Sequence, residues 1–207
     1  MQFDSEIQEY LFGNKPVLLS VPINQQVEQY WLQNKLPQHQ FPYWAKTWPA
    51  ALGLCQFLVQ NPAYITNKNI LEIAAGLGLP SVLAAHYANH VLCSDYALDA
   101  MEYVKESATL NKLSNLETAI INWNNLPDNL SADTVLLSDI NYEPEVFPQL
   151  TILFNKLLNA GKTIVLSTPQ RLMAKPFIES IMLYSVLAES ILVGEQYISV
   201  FVYQNKV

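Results

Sequence analysis

The feature that most limits the fold of this chain is an alternation, from Asn69 onward, of short apolar runs with longer amphipathic ones. Such alternation is typical of repeated strand and helix units around a parallel sheet. It predicts strands at 70–74, 90–94, 116–121, 134–138 and 162–167. The intervening amphipathic segments predict helices at 81–88, 98–111, 145–159 and 176–184. We therefore expect an α/β protein with a mostly parallel sheet.

The last segments of the sequence depart from this alternation. Two apolar runs, 186–193 and 198–203, are joined through Gly194-Glu195-Gln196, which leaves no room for a helix. Because a parallel crossover needs roughly a dozen or more residues, these two strands must pair antiparallel. The complete pattern predicts a Rossmann-like sheet of seven strands, mostly parallel with an antiparallel C-terminal hairpin strand and with helices on both faces.

The character of the sequence changes near residue 41. Residues 1–40 are rich in Gln and Pro, with one apolar run at 16–23 and a predicted short helix at 25–33. We interpret 1–40 as an N-terminal cap and 41–207 as the main domain, forming a single domain overall. A further helix, opened by Pro49, is expected to face the core.

Composition excludes several classes of protein. Hydrophobic residues make up 51% of the 207 residues and charged residues 14%, which is enough for a large core and excludes global disorder. The net charge is -7 and Arg171 is the only arginine, so no basic cluster is available to neutralise a row of phosphates. We therefore expect no nucleic-acid partner.

The sequence also bears on location. The first ten residues are acidic and polar, where a secretory signal would be basic and then apolar. No uncharged apolar stretch reaches the roughly 18 residues that a membrane span needs. Cys55 and Cys93 lie in apolar runs, as reduced thiols of a core do. We expect a cytoplasmic protein without a membrane partner.

Candidate site residues stand where the predicted strands end, which is where α/β sheets bind ligands. After the first strand of the alternating region, Gly76 and Gly78 allow the backbone to approach a ligand closely, and Pro80 opens the next helix. The alternative is that this turn only joins the strand to the helix and binds no ligand. Asp95 ends the next strand, where its carboxylate could accept both hydroxyls of a ribose or simply be solvated.

The later strand ends contain aromatic and acidic residues. Trp123 could stack on an adenine ring, and packing in the core is an equally good interpretation. Ser138-Asp139-Ile140-Asn141-Tyr142-Glu143-Pro144-Glu145 crowds carboxylates into one loop, which indicates either a site or, for Glu143 and Glu145, a helix start. We interpret Tyr96 as a packing residue. His86 and His90 lack a nearby third ligand, so we expect no metal.

These residues give the chain a resemblance to the class I S-adenosylmethionine (SAM) dependent methyltransferases, within them to the family-16 lysine methyltransferase-like group. The matching segments are 41–50, the glycine turn at 71–80, Asn122-Trp123 and 138–144. The resemblance implies that Glu72 orients the amino-acid part of SAM above Ala74, Gly76 and Gly78, and that Asp95 holds the ribose. It places Trp48 beside the cofactor, Trp123 against adenine, and Asp139 and Tyr142 at the methyl-acceptor side. Ser138 is a further expected cofactor-binding residue.

The glycine turn departs from the family pattern at one position, because Ala74 stands where the first of three glycines is usual. The methyl group of Ala74 is expected to narrow the approach to the cofactor. The resemblance implies an N-methyltransferase in which Asp139 draws the acceptor amine into place and Tyr142 closes its channel. The favoured acceptor is a protein lysine, with a small-molecule amine as the alternative.

Two other functions fit the same features less well. A catalytically silent interaction protein could use this fold, and Ala74 leaves that alternative open. An NAD-linked oxidoreductase could use the same glycine turn, but no hydride-acceptor site is evident. The Asp-x-x-Tyr segment is also similar to that of adenine N6 methyltransferases, against which the acidic charge argues.

Overall fold

The strands of this protein form two sheets, seen in a computed structural model that describes residues 3–37, 40–127 and 131–205. A two-stranded hairpin consists of β1 (Ser5–Phe12) and β2 (Lys15–Pro22). The strands of the larger sheet are β3 (Asn69–Ile73), β4 (His90–Asp95), β5 (Leu116–Ile120), β6 (Thr134–Ser138), β7 (Thr163–Pro169), β8 (Ser185–Val193) and β9 (Gln196–Tyr203).

The order of the larger sheet is β5-β4-β3-β6-β7-β9-β8. All neighbours pair parallel except β9, which runs antiparallel to both β7 and β8. This arrangement confirms the predicted fold, and the predicted strands differ from the observed ones by one or two residues at most ends. The chain leaves β3 first toward β4 and β5, then returns to β6 on the other side, so the strand order reverses beside β3.

Six helices surround the sheets in the described part of the chain. They are α1 (Asn24–Gln33), α2 (Pro49–Gln60), α3 (Leu79–Ala84), α4 (Leu98–Leu110), α5 (Phe147–Asn159) and α6 (Lys175–Ile181). Short 3-10 turns at Pro144–Val146 and Met182–Tyr184 replace the predicted start of α5 and end of α6. Helix α3 is shorter than predicted because it ends at Ala84 instead of 88.

Apolar residues alternate between the two faces of the sheet, as the pleat of a strand requires. One face packs Val165 of β7 with Phe57 of α2 and with residues of α3 and the hairpin. The other face packs Leu166 and Tyr203 with Phe154 of α5 and with α6. The helices therefore cover both faces, as predicted, and the site lies at one edge of this sandwich.

The N-terminal hairpin is part of the core and was not predicted. Val17 and Leu19 of β2 are fully buried. The main chain of Leu18 exchanges two hydrogen bonds with the side chain of Asn111, at 3.0 and 2.6 Å. The Ser20 amide donates to Ser107 Oγ at 2.9 Å, so the hairpin is fixed along α4 by both apolar and polar contacts.

The helices of the described residues do not combine the length and apolar character that crossing a bilayer requires.

Candidate functional site

A cleft of about 400 Å³ opens where β3, β4, β6 and β7 end, beside the reversal of strand order. All the predicted site residues except Glu72 line it, and they are Trp48, Ala74, Gly76, Gly78, Asp95, Trp123, Ser138, Asp139 and Tyr142. The topology thus brings together strand-end residues from Ala74 to Tyr142, 68 positions apart, because parallel strands deliver their ends to one edge of the sheet.

The turn after β3 forms the floor of the cleft. Ala74, Gly76 and Gly78 have φ values of 53°, 54° and 66°, in the left-handed region that favours glycine. A Cβ at Gly78 would lie 2.8 Å from Cys93 Sγ, and one at Gly76 would lie 3.2 Å from the Trp44 carbonyl oxygen. Both glycines are therefore required by the conformation and by the close packing beneath the turn.

Asp95 fixes this turn to the end of β4. Its Oδ2 accepts a hydrogen bond from the Gly76 amide at 2.8 Å, and its Oδ1 accepts one from the Ala97 amide at 2.9 Å. Only 4% of the residue is exposed, and this burial raises the pKa of the carboxyl although the backbone bonds oppose the rise. A carboxylate has about four acceptor sites, so Asp95 can still accept a hydroxyl group from a ligand in the cleft.

Glu72 lies beneath the floor rather than on the cleft surface. It is fully buried, and its Oε2 accepts hydrogen bonds from the amide and hydroxyl of Ser81 at 2.8 and 2.5 Å. Its Oε1 has no partner among the described residues. Burial raises the pKa of Glu72 to about 8, so the side chain is mainly protonated at neutral pH. Its direct influence is on the start of α3.

Two tryptophans, Trp48 and Trp123, belong to the lining. Trp48 precedes α2, and its Nε1 donates to the Tyr43 carbonyl at 2.9 Å, which fixes the ring plane. Trp123 lies in the 3-10 turn after β5, half-buried, where Asn122 Oδ1 accepts the Asn124 amide at 3.0 Å. Both rings are partly accessible and face a ligand-sized space, as a stacking role needs.

The far wall is built from the ends of β6 and β7. Asp139 has φ 55°, and its amide donates to the Ser167 carbonyl at 2.9 Å. Its two carboxylate oxygens accept hydrogen bonds from Nη1 and Nη2 of Arg171, the second at 2.9 Å. Tyr142 is 46% exposed, and burial of its hydroxyl together with Glu143 raises its pKa to about 12, so that hydroxyl remains a hydrogen-bond donor.

The predicted site residues omit several members of the lining, among them Arg171, Thr47 and Tyr96. Arg171 pairs with Asp139 across 32 positions, and no local pattern marks that pairing. Thr47 lines the cleft with its hydroxyl buried and without a hydrogen-bond partner among the described residues. The packing role expected for Tyr96 is wrong, because its side chain is 70% exposed and lines the cleft. Its position directly after the strand-end Asp95 was the available signal.

The described residues contain no group of three or more His, Cys, Asp or Glu side chains that could hold a metal ion.

Comparison with protein families gives one model that spans most of the domain. Residues 39–183 match the family described as lysine methyltransferase. The chain is 30% identical over 151 residues to the protein N-lysine methyltransferase METTL21A of Xenopus tropicalis, which covers 70% of each chain. It is 34% identical over 109 residues to the human histone-arginine methyltransferase METTL23, covering 50% of this chain and 57% of that one.

A third relative is the protein-lysine N-methyltransferase EFM3 of Chaetomium thermophilum, 30% identical over 145 residues, covering 61% of this chain and 42% of that protein. The chain thus spans from under half to about two thirds of the length of these three relatives.

Solved structures of low identity share the fold. The N-methyltransferase NodS of Bradyrhizobium japonicum in complex with S-adenosyl-L-homocysteine (SAH) superposes with a TM-score of 0.59 at 10% identity, covering 88% of this chain and 98% of that one. TrmN of Thermus thermophilus gives a TM-score of 0.60 at 18% identity, covering 76% of this chain and 51% of that one.

Proposed function

Because this chain belongs to the lysine methyltransferase family, we propose that it is a SAM-dependent N-methyltransferase acting on a protein lysine. The observation that supports this most directly is the arrangement of the cleft. Asp95 stands at the end of β4 and the Asp139 and Tyr142 pair at the end of β6, on either side of the turn after β3. Donor and acceptor sites would therefore share one cleft.

The lining residues fit SAM as the methyl donor. A cleft of about 400 Å³ lies within the roughly 300–1,000 Å³ usual for ligand sites. Gly76 and Gly78 present backbone without side chains, and Asp95 has free lone pairs for ribose hydroxyls. Thr47 also lines the cleft, and its buried hydroxyl has no hydrogen-bond partner among the described residues. When bound, SAM supplies a methyl group on a positively charged sulfur, which is already an activated donor.

The residues of the chain mainly need to align the acceptor and exclude water. A lysine must lose a proton before it can react, which costs on the order of 4 kcal/mol at neutral pH for a reference pKa of about 10.4. Asp139 would accept a hydrogen bond from the acceptor nitrogen, and Tyr142 would close the channel around it. Glu72 would act from beneath, by holding the start of α3 and thus the turn.

The rim of the cleft favours a protein acceptor over a small amine. Tyr96, which lines the cleft, is 70% exposed, and Leu172 and Met173, which follow the lining residue Arg171 in the chain, are 91% and 47% exposed. Exposed apolar side chains around an opening are typical of a protein-binding surface. A net charge of -7 also suits a cationic acceptor better than a nucleic acid.

We also propose a cytoplasmic location and a division of the chain into a cap and a methyltransferase domain. Cys55 and Cys93 are free and buried, which suits the reducing cytoplasm. Residues 41–207 would form the methyltransferase domain, with 1–40 as a cap that packs on it.

The test is transfer of label from methyl-labelled SAM to proteins from the source organism, followed by acid hydrolysis and amino-acid analysis. We expect label in methylated lysine. Label in methylated arginine would favour an acceptor like that of the histone-arginine relative. Label in small molecules alone would favour the amine alternative, and a folded protein that binds neither SAM nor SAH would contradict the proposal.

A further inference from the structure

The acceptor side of the cleft contains an ion pair that the proposed reaction does not by itself require. Arg171 lies two residues beyond β7, where its amide donates to the Pro169 carbonyl at 2.8 Å. Its guanidinium forms two parallel hydrogen bonds with the carboxylate of Asp139. Such a two-point pair fixes orientation as well as distance. The ends of β6 and β7 are thereby joined at the place where the acceptor must enter.

Arg171 also changes the charge of this wall. The other charged residues that line the cleft are Lys46, Asp95 and Glu143. Lys46 contacts Glu28 at 3.4 Å and lies over the Phe41 ring, and Asp95 belongs to the cofactor end. Among the described lining residues, only Arg171 forms an ion pair with Asp139. The Asp139 side chain is 11% exposed, so little solvent screens this pair.

Because Arg171 offsets the charge of Asp139, it affects the protonation state of an amine that lies beside this carboxylate. An unpaired carboxylate beside the acceptor nitrogen would stabilise the ammonium form and raise the pKa of the amine by about 1–3 units. The reaction needs the opposite, because only the neutral amine has a lone pair to offer. A carboxylate held by a guanidinium can still accept an N–H through its remaining lone pairs.

We propose that Arg171 is a positioning residue that holds Asp139 at the acceptor side and offsets its charge, so that the subsite takes a neutral amine. This inference rests on the proposed function, because it assumes that the acceptor nitrogen lies beside Asp139. Arg171 then acts through Asp139 and does not itself contact the reacting atoms.

The probe is sinefungin, a SAM analogue with an amine in place of the transferable methyl group, compared with SAH, which lacks that amine. The measured quantity is the ratio of the two affinities by calorimetry at pH 7.5. In Arg171→Met, the unpaired Asp139 should raise the preference for sinefungin about tenfold. In Asp139→Asn, the unpaired Arg171 should lower it about tenfold. The double variant should return close to the wild-type ratio.

Two controls separate charge from structure. Arg171→Lys keeps the positive charge but loses the two-point geometry, so its ratio should lie between those of wild type and Arg171→Met. SAH affinity should stay nearly constant in all variants, since this ligand carries no amine at the acceptor side. The two single variants should change the affinity ratio in opposite directions. If one of them fails to fold, the other still tests the proposal. Unchanged ratios in variants that bind SAH would overturn the role of Arg171, whereas wild-type protein that binds neither ligand would overturn the proposed function.

Discussion

At the ends of β3 and β4 the cleft wall consists mainly of main chain and buried groups, with Tyr96 as an exposed side chain. At the ends of β6 and β7 it consists of charged and partly exposed side chains. The first wall is held by the Gly76 amide on Asp95 and by packing under Gly78. The second is held by the ion pair of Asp139 and Arg171, with Tyr142 beside it. A wall of main chain suits an invariant ligand, and a wall of side chains can be adapted to different acceptors.

The two walls share one feature. Each has a residue other than glycine in the left-handed region directly after a strand, Ala74 at φ 53° and Asp139 at φ 55°. Such conformations cost about 1–3 kcal/mol and concentrate at functional sites. The strain is therefore distributed over both halves of the cleft.

The largest expected effect separates the two walls by function. Asp139→Ala should lower turnover about a hundredfold to a thousandfold, as removal of a group that positions the reaction does. Its affinity for SAH should stay within a few fold of wild type. Asp95→Ala should instead weaken SAH binding about a hundredfold, because it removes a charged acceptor and frees the Gly76 amide. Turnover assays and calorimetry test both, and normal turnover of Asp139→Ala would disprove the acceptor-side assignment.

The next effect concerns the stability of the main-chain wall. Gly78→Ala combines left-handed strain with a Cβ at 2.8 Å from Cys93 Sγ, so we expect a loss of about 3 kcal/mol in the free energy of unfolding. Gly161→Ala is the matched control, because Gly161 has φ 70° but open space around it, and it should lose only about 1 kcal/mol. Denaturant unfolding measures both. Equal losses would show that the turn can shift away from Cys93.

A third effect is the pH dependence beneath this wall. Burial raises the pKa of Glu72 from its ordinary value of 4.5 to about 8 in the folded protein, so folding retains a proton that the unfolded chain releases. The stability due to this proton is fully present below about pH 4.5 and is lost as the pH rises toward 8. Between pH 5 and pH 7 wild type should lose roughly 2 kcal/mol relative to Glu72→Gln. Parallel pH profiles for the two proteins would mean that the charge of Glu72 is offset in the fold.

The smallest expected effect is that of replacing Ala74 with glycine. Ala74→Gly relieves left-handed strain of about 1–2 kcal/mol but gives the unfolded chain more freedom, so a net gain of about 0.5 kcal/mol is expected. Lys112→Gly, at φ 55° and away from the cleft, should gain a similar amount. SAH affinity should rise only in Ala74→Gly, because a methyl group leaves the cleft lining. No difference in SAH affinity between the two variants would show that the Ala74 methyl does not restrict the ligand.

The sequence predicted the main-chain wall better than the side-chain wall, for a physical reason. The turn from Ala74 to Gly78 and the strand-end Asp95 have local requirements, so their residue types are visible in short motifs. The partner of Asp139 is fixed only when β7 comes to lie beside β6. Arg171 therefore had no signal beyond being the only arginine of the chain.

The N-terminal hairpin of β1 and β2 was not predicted because its sequence pattern is weak. The apolar runs predicted the seven strands of the larger sheet, because each strand has apolar side chains that are buried in the core or packed against it. Strand β1 is mostly exposed, so its pattern is weak, and only the Gly13-Asn14 pair between Phe12 and Lys15 indicated a two-residue hairpin turn.

The position of β9 affects how the chain can fold during synthesis. This strand is the last of the sheet in sequence, yet it lies inside the sheet between β7 and β8. The strands β7 and β8 are made before β9 but are not neighbours in the sheet. The edge of β7 therefore stays open until β9 has been made. Chaperones that bind unpaired strand edges would find their target during this interval.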